Sequence, residues 1–422
     1  MFYGWWVAIA CSVIYGLSGI GHYAPGIFFP FISAEMGWTQ AELGKAFSVY
    51  LWVFVCGGFL AGYLVDRIGG RKTFTIGAII SGTGLVLLST IQSFSEVILY
   101  YSAIASLGIS MQLVVPTQSV ARKWFVKRSG LIAGIIAGAF GIISALLFPL
   151  LTRLGDAYGW RIILRQYAIL FEVVVILLAL FVVRDTPESM GLYPDGASNP
   201  GPAGPEGAEE SAEESYYTLV QAIKTSQLWL IAISIGFASM VIVTYIGHLQ
   251  MWAVKVGATP AAAGTFMTAW AIPSIVARVV GGWLGDRLGK RPVLIGVFIL
   301  LFGIMVYGWL GVHSPGSLYS FSVACGFTMI VPAVLAAPFV GDLFGRKYLG
   351  TMGGFLGIIG GTLAGFGPWF WGWIATTTGS YNPALFYMAI GYAIGGVCIA
   401  CIRPTHVEKR TFVRGRVSLK SL

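Results

Sequence analysis

The chain has 422 residues, of which 57% are hydrophobic and 10% charged, against roughly 25% charge in a soluble domain, so it has too little polar surface to cover itself in water. Its net charge of +9 sits in short loops between apolar runs rather than on one face or arm, which excludes a nucleic-acid partner. Cys11, Cys56, Cys325, Cys398 and Cys401 are scattered inside apolar segments without metal-ligand spacing, which excludes a disulfide framework and a metal or other cofactor site built on them.

A membrane span takes about 20 apolar residues. In chain order the candidates run over 5–29, 43–66, 72–92, 95–120, 129–152 and 162–184, then 227–253, 260–285, 291–311, 315–341, 348–374 and 383–403. The start, Met1 to Trp6, lacks a basic n-region, so the first run is expected to insert as a span rather than to be cleaved. Glycine at 57 residues lets helices approach closely, and tryptophan at 14 anchors spans at the headgroups. Between the sixth and seventh runs lie Pro200-Gly-Pro-Ala-Gly-Pro205 and Glu209-Glu210-Ser-Ala-Glu213-Glu214, which cannot pack as a span and read as a linker. The chain therefore divides into a six-helix bundle over 1–184, a linker over 185–226, a second six-helix bundle over 227–403 and a basic tail over 404–422. Placing both termini in the cytoplasm puts twenty Lys and Arg on the inner side against five (Lys45, Arg153, Arg161, Arg165, Lys255) on the outer, which sets the orientation.

The two halves are repeats. Laid against each other at an offset of 220, Gly37, Thr39, Ala41 and Gly44 fall on Gly257, Thr259, Ala261 and Gly264. Gly62, Asp66, Arg67, Gly69 and Arg71 fall on Gly282, Asp286, Arg287, Gly289 and Arg291, and Gly130, Gly134 and Gly141 on Gly350, Gly354 and Gly361. Repeated halves with a solute site at their interface are a common transporter plan. In Gly62-Tyr-Leu-Val-Asp66-Arg67-Ile-Gly69-Gly70-Arg71-Lys72 and its partner Gly282-Trp-Leu-Gly-Asp286-Arg287-Leu-Gly289-Lys290-Arg291, glycine permits close packing and a tight turn, and the Asp can cap the next helix or pair with Arg.

These loops resemble the cytoplasmic signature of the major facilitator superfamily, present in both halves at the expected place. Phe2-Tyr-Gly-Trp-Trp6 and Ala121-Arg-Lys-Trp124-Phe125-Val-Lys-Arg128-Ser-Gly130-Leu131 resemble its monocarboxylate transporter and oxalate/formate exchanger branches. The resemblance covers the chain apart from linker and tail, and implies an all-α membrane protein of twelve helices in two pseudo-symmetric bundles.

Arg278 is the only Lys or Arg deep inside a span rather than near its end. It lies eight residues before Asp286, roughly 12 Å from the inner end at about 1.5 Å per residue, and burying it there costs at least about 2.5 kcal/mol without a partner. Its repeat counterpart is Gly58, so the charge is no part of the shared scaffold. A guanidinium fork suits a carboxylate; a structural ion pair is the alternative. The resemblance implies an Asp one turn earlier, where this chain has Ser274, and a first-helix Lys, where it has Ile27; the second cation that oxalate exchangers carry in the eleventh helix is missing from 348–374. That pattern suits a monoanion and leaves the proton carrier unassigned.

His248 faces Phe28 by the repeat offset, and both are expected to roof the site, His248 with Ser274 completing the polar shell of Arg278. His248, whose imidazole changes charge near neutral pH, is with Arg278 a candidate for proton coupling. Tyr15, Ser18 and His22 share a helix face that can turn to the cavity. Glu172 in the sixth span reads mainly as a structural hydrogen-bonding residue, and Thr117 and Gln118 as either solute contacts or helix-bonded hydroxyl and amide. No phosphate-binding loop, nucleophile constellation or metal cluster is present, so ATP-driven or enzymatic work is not expected. The reading is a secondary active transporter of lactate-sized monocarboxylates in the plasma (inner) membrane, monomeric as a working unit, with protons, a small organic anion and lipid as partners. Its alternatives are a proton-independent organic anion exchanger and a non-cycling channel or receptor.

Overall fold

A computed structural model describes residues 2–125, 129–196, 217–345 and 349–403. The core of the expected linker (197–216), the loop residues 126–128 and 346–348 and the basic tail (404–422) lie outside the described residues. Within the described residues the helices join into twelve membrane-length elements: α1 Gly4–Met36, α2 Gln40–Ile68, α3 Gly70–Leu88, α4 Phe94–Trp124, α5 Ser129–Tyr158 and α6 Trp160–Val182, then α7 Ser226–Lys255, α8 Pro260–Leu288, α9 Lys290–Gly311, α10 Pro315–Phe344, α11 Leu349–Thr378 and α12 Asn382–Cys401. Ten satisfy length and apolarity by themselves. Of the other two, α3 opens on Arg71 and Lys72 and α11 is diluted by glycine, yet both pack among the rest.

Local signals repeat across the halves. Thr39 caps α2 in a capping box with Glu42, and Thr259 caps α8 by accepting from the Ala262 amide. Gly69 and Gly289, at φ 86° and 87°, make the tight turns after α2 and α8, a left-handed geometry that a Cβ would strain. The face carrying these two turns is called the signature face below. Three elements are interrupted: α1 at Tyr23 (φ −101°, ψ 22°), just before Pro25, α4 over Met111–Leu113, before Pro116, and α10 at Met329–Ile330, before Pro332. The α7 counterpart of α1 runs unbroken. Beyond its break α1 continues to Met36, past the expected stop at 29, because Pro30 removes one backbone donor without ending the helix and Gly37 (φ 71°) does end it.

The halves meet along α2 with α11 and α5 with α8, and at the end of α1 with α7. The contacts obey the repeat offset: Gly141 closes on Ile275 as Gly361 closes on Val55, and Gly264 meets the Phe148 carbonyl as Gly44 meets that of Pro368. Among the described residues every hydrogen bond joining the halves lies from the middle of the spans outward, away from the signature face. They include Trp52 Nε1 to Thr362 O at 3.3 Å, the Trp369 amide to Ser48 Oγ at 3.0 Å and the Ala41 amide to Thr376 Oγ1 at 3.1 Å. Toward the signature face Gly134, Gly138, Gly353, Gly354 and Gly357 on α5 and α11 face open space. Among the described residues the halves are joined closely on the face opposite the signature loops, and no such contact is seen toward the signature face.

Candidate functional site

Arg278 stands on α8, a turn and more beyond Pro273, where α8 meets the other half. Its Nε is buried and has no hydrogen-bond partner, and the titratable groups that reach it are the Tyr15 and Tyr23 hydroxyls of α1. Among the described residues the ion pairs are Arg161 with Glu35 at 3.0 Å and Lys290 with Asp342 at 2.5 Å; no acid bridges Arg278. The structural ion pair weighed above is therefore not formed. A guanidinium with an idle donor inside a span is short of an acceptor.

Beside it the break in α1 sets up a second polar group. Pro25 has no amide hydrogen and disfavours continuous helix before it, so the chain turns at Tyr23. His22, the last residue before the turn, lines a cavity of about 420 Å³ bounded by α1, α2, α7, α10 and α11. Its Nδ1 lies 3.0 Å from the Tyr50 hydroxyl, and its carbonyl accepts from the Tyr101 hydroxyl at 3.0 Å. Tyr50 and Tyr101 stack with centroids 4.5 Å apart, which fixes the imidazole and leaves Nε2 as its idle nitrogen. Tyr23 joins the two groups: its ring packs edge-on to His22 at 4.6 Å, and its hydroxyl is in electrostatic reach of Arg278. The remaining wall is apolar except for Ser239, with α10 and α11 offering only alanine, valine, leucine and glycine. Arg278, Tyr15 and Tyr23 do not themselves line this cavity; Tyr23 links the guanidinium to His22 on its wall, an arrangement that can hold one anionic group beside an apolar space.

A sequence model of the Major Facilitator Superfamily matches residues 11–255 and 249–421. The chain belongs to this superfamily. The fold agrees: it superposes on a bacterial homolog of the human lysosomal transporter Spinster, in an inward-facing and occupied conformation, with TM-score 0.72 at 16% identity over 95% of this chain and 94% of that one. It superposes equally on the D-xylose–proton symporter, with TM-score 0.71 at 15% identity over 95% and 98% of the two chains. By sequence it is similar to monocarboxylate transporter 1 of Bos taurus, 29% identical over 38% of this chain and 32% of that protein. It is also similar to MFS-type transporter 1 of an Ophiocordyceps species, 25% identical over 74% and 66%, and to riboflavin transporter RibJ of Trypanosoma brucei brucei, 33% identical over 40% and 29%. The alignments thus span about a third of the monocarboxylate transporters' length.

The other residues singled out in this superfamily member fall into different places. Ser274 is fully buried and its hydroxyl donates to the Ala271 carbonyl of its own helix at 2.7 Å, so it is not free to complete a shell around Arg278. His248 is also buried, with Nδ1 3.2 Å from the Tyr381 hydroxyl and Nε2 3.0 Å from the Pro368 carbonyl, and its ring packs on Trp371. Both nitrogens are engaged within the second half in the described state, and His248 does not line the cavity. Phe28 is equally buried in the sealed layer, where α1 meets α7 at Gly26 and the Ile246 carbonyl. Ser18 turns away from the cavity to donate to Gln112 at 2.6 Å, and Thr117 bonds the Leu113 carbonyl of its own helix.

In the signature loops Asp66 and Asp286 are exposed, and among the described residues neither caps the following helix nor forms an ion pair with Arg, the two roles the sequence offered. Instead Asp185 Oδ1 accepts from the Arg71 amide at 3.0 Å, while Arg291 donates to the Ala400 carbonyl at 2.6 Å. Arg67 covers the Tyr63 ring at 5.0 Å as Arg287 covers Trp283 at 4.6 Å. Gly62 lies against Val115 of α4, while Gly282 has open space beside it. Sequence reasoning placed His22 on the right helix face but missed Tyr23; the available signal was Pro25 two residues on, which marks the break.

Proposed function

We propose that this transporter carries small monocarboxylates by alternating access, with proton symport, and that Arg278 holds the carboxylate. The observation that carries the reading is the half-buried Arg278 at the interface of the halves, its buried Nε without a partner and no acid bridging it among the described residues. A carboxylate supplies the acceptors that Arg278 lacks, Tyr15 and Tyr23 orient it, and His22 completes the polar side. Moving anion and proton together lowers the cost of reorientation through the low-dielectric bundle. The close packing of the halves on the face opposite the signature loops favours a carrier over a channel. The termini and signature loops are assigned to the cytoplasm of a plasma (inner) membrane on the basic-loop asymmetry, which makes the described state inward-facing. One chain contains both halves of the site and serves as the working unit.

The test is a carboxylate panel in proteoliposomes with and without an imposed pH gradient. Symport requires gradient-driven accumulation of lactate-sized acids, whereas uptake that leaves luminal pH unchanged and needs a counter-anion assigns exchange. Arg278→Ala abolishes uptake under this reading, and near-normal uptake by that variant removes Arg278 from the site.

A further inference from the structure

Away from the cavity the first half contains a buried polar chain that the site above does not use. Ser18 of α1 donates to Gln112 Oε1 of α4 at 2.6 Å; Gln112 Nε2 donates to Ser81 Oγ of α3 at 2.7 Å; Ser81 Oγ lies 2.6 Å from Glu172 Oε1 of α6. Four helices of one bundle are thus tied through three hydrogen bonds, and the chain ends one helical turn from the cavity residue His22. Glu172 is only 9% exposed, and its Oε2 is buried without a partner. The groups that face it are Ser81 from α3, Gln112 from α4 and, along α6 itself, Tyr167, whose hydroxyl is already donated to the Leu17 carbonyl at 2.8 Å. Among the described residues no Lys or Arg of α1, α3, α4, α5 or α6 pairs with it.

Proton counting decides what such a carboxyl is. Ser81 has one hydroxyl proton and two acceptors at close range, the Gly77 carbonyl at 2.8 Å and Glu172 Oε1 at 2.6 Å, with the Ala78 carbonyl farther off at 3.4 Å. If Glu172 is ionised, Ser81 must abandon Gly77, Oε2 stays bare, and a full charge sits in a span with no counter-ion. With a neutral Glu172, the acid proton on Oε1 is donated to Ser81 Oγ, Ser81 donates to Gly77, and Gln112 donates to Ser81 as before. Every donor finds an acceptor in either form, but only the neutral form keeps Ser81 on the Gly77 carbonyl and leaves no uncompensated charge in the span.

We propose that Glu172 is a proton-binding site, occupied in the described state, and that its release step is the coupling event of the cycle. Ionisation gives the carboxylate and passes the proton to water; the Ser81 hydroxyl then swings from Gly77 to Glu172 Oε1, and the strain is transmitted through Gln112 to Ser18 on the broken helix α1. The coupling part rests on the proton-symport reading above, whereas the occupancy of the site does not.

Two measurements on the reconstituted full chain test it. The infrared carbonyl stretch of a protonated carboxyl, taken at neutral pH as wild type minus Glu172→Gln, is expected to show one band lost; no such band in the wild type overturns the occupancy. For coupling, the probe is radiolabelled lactate. Glu172→Gln mimics the neutral acid and is expected to exchange lactate in counterflow while its pH-gradient-driven accumulation ratio falls to unity. Accumulation that survives in Glu172→Gln, or loss of both counterflow and accumulation in a variant that melts like the wild type, overturns the coupling role. Ser81→Ala, which keeps the carboxyl, is expected to retain the band at a shifted frequency; an unmoved band places the proton elsewhere. A wild type without lactate counterflow refutes the monocarboxylate reading and leaves the infrared result to judge Glu172.

Discussion

A guanidinium inside a span without an acid beside it lowers stability, and that cost separates its function from a structural role. Replacing Arg278 by Met keeps the volume and removes a charge that no acid offsets, so the variant is expected to melt at or above the wild type, by roughly 1 kcal/mol or more on the precedent of buried ionic groups replaced by apolar ones, while carboxylate uptake is lost. A differential melt alongside an uptake assay checks both halves of the statement; a marked drop in melting temperature assigns Arg278 to the scaffold. For His22, Gln retains one donor and one acceptor, so Tyr50 keeps its partner, and uptake is expected to survive with a raised apparent Km. By contrast His248→Gln, in a sealed aromatic box, is expected to lower stability by about 1 kcal/mol through the lost bonds to Tyr381 and Pro368, with the pH profile unmoved. Arg278 was legible in the sequence because a charge inside a span needs a reason. Which histidine faces the cavity was not, because His22 and His248 occupy similar apolar runs and helix rotation is set by packing: the stacked Tyr50 and Tyr101 hold the first, while Trp371 and Tyr381 enclose the second.

Among the elements, α1 departs most from its repeat partner. Its break at Tyr23 places His22 on the cavity wall, to which the unbroken α7 contributes Ile235, Ser239 and Val243. Pro25→Ala restores a backbone donor and should lengthen the continuous helix, swinging Tyr23 away from Arg278. The expected outcome is a tenfold or greater rise in apparent Km, a loss of about 1.4 kcal/mol in binding, with folding preserved. The spans were readable from hydropathy because lipid demands unbroken apolar runs. The extension of α1 past residue 29 was not, since Ser33 and Glu35 read as loop residues until Trp38, Trp160 and Arg161 are seen to satisfy them. Likewise Asp66 and Asp286 could not be assigned from spacing, because their neighbours depend on which face of the molecule is parted.

At the scale of the whole molecule, the sealed and parted faces make a prediction about access. In a cysteine-free background, cysteines at 134 and 357, which face open space, should react with a membrane-impermeant thiol reagent applied from the signature face, and cysteines at 44 and 264, pressed on opposing carbonyls, should not. A cysteine pair replacing Ala41 and Thr376, whose backbone and side chain touch across the halves, should stop uptake on oxidation and release it on reduction; uptake unaffected by the crosslink shows that this layer does not part.

The twofold pairing of Gly141 with Ile275 and Gly361 with Val55 has one more consequence. Each half presents a bare α-carbon to a branched side chain of the other, and the two points lie at related depths on opposite flanks of the solute path. A line through them is a fulcrum: tilting either bundle about it widens one mouth by as much as it narrows the other, so both mouths cannot gape together and no separate latch is needed to forbid a leak. Adding a methyl group at one pivot should jam the lever at both ends.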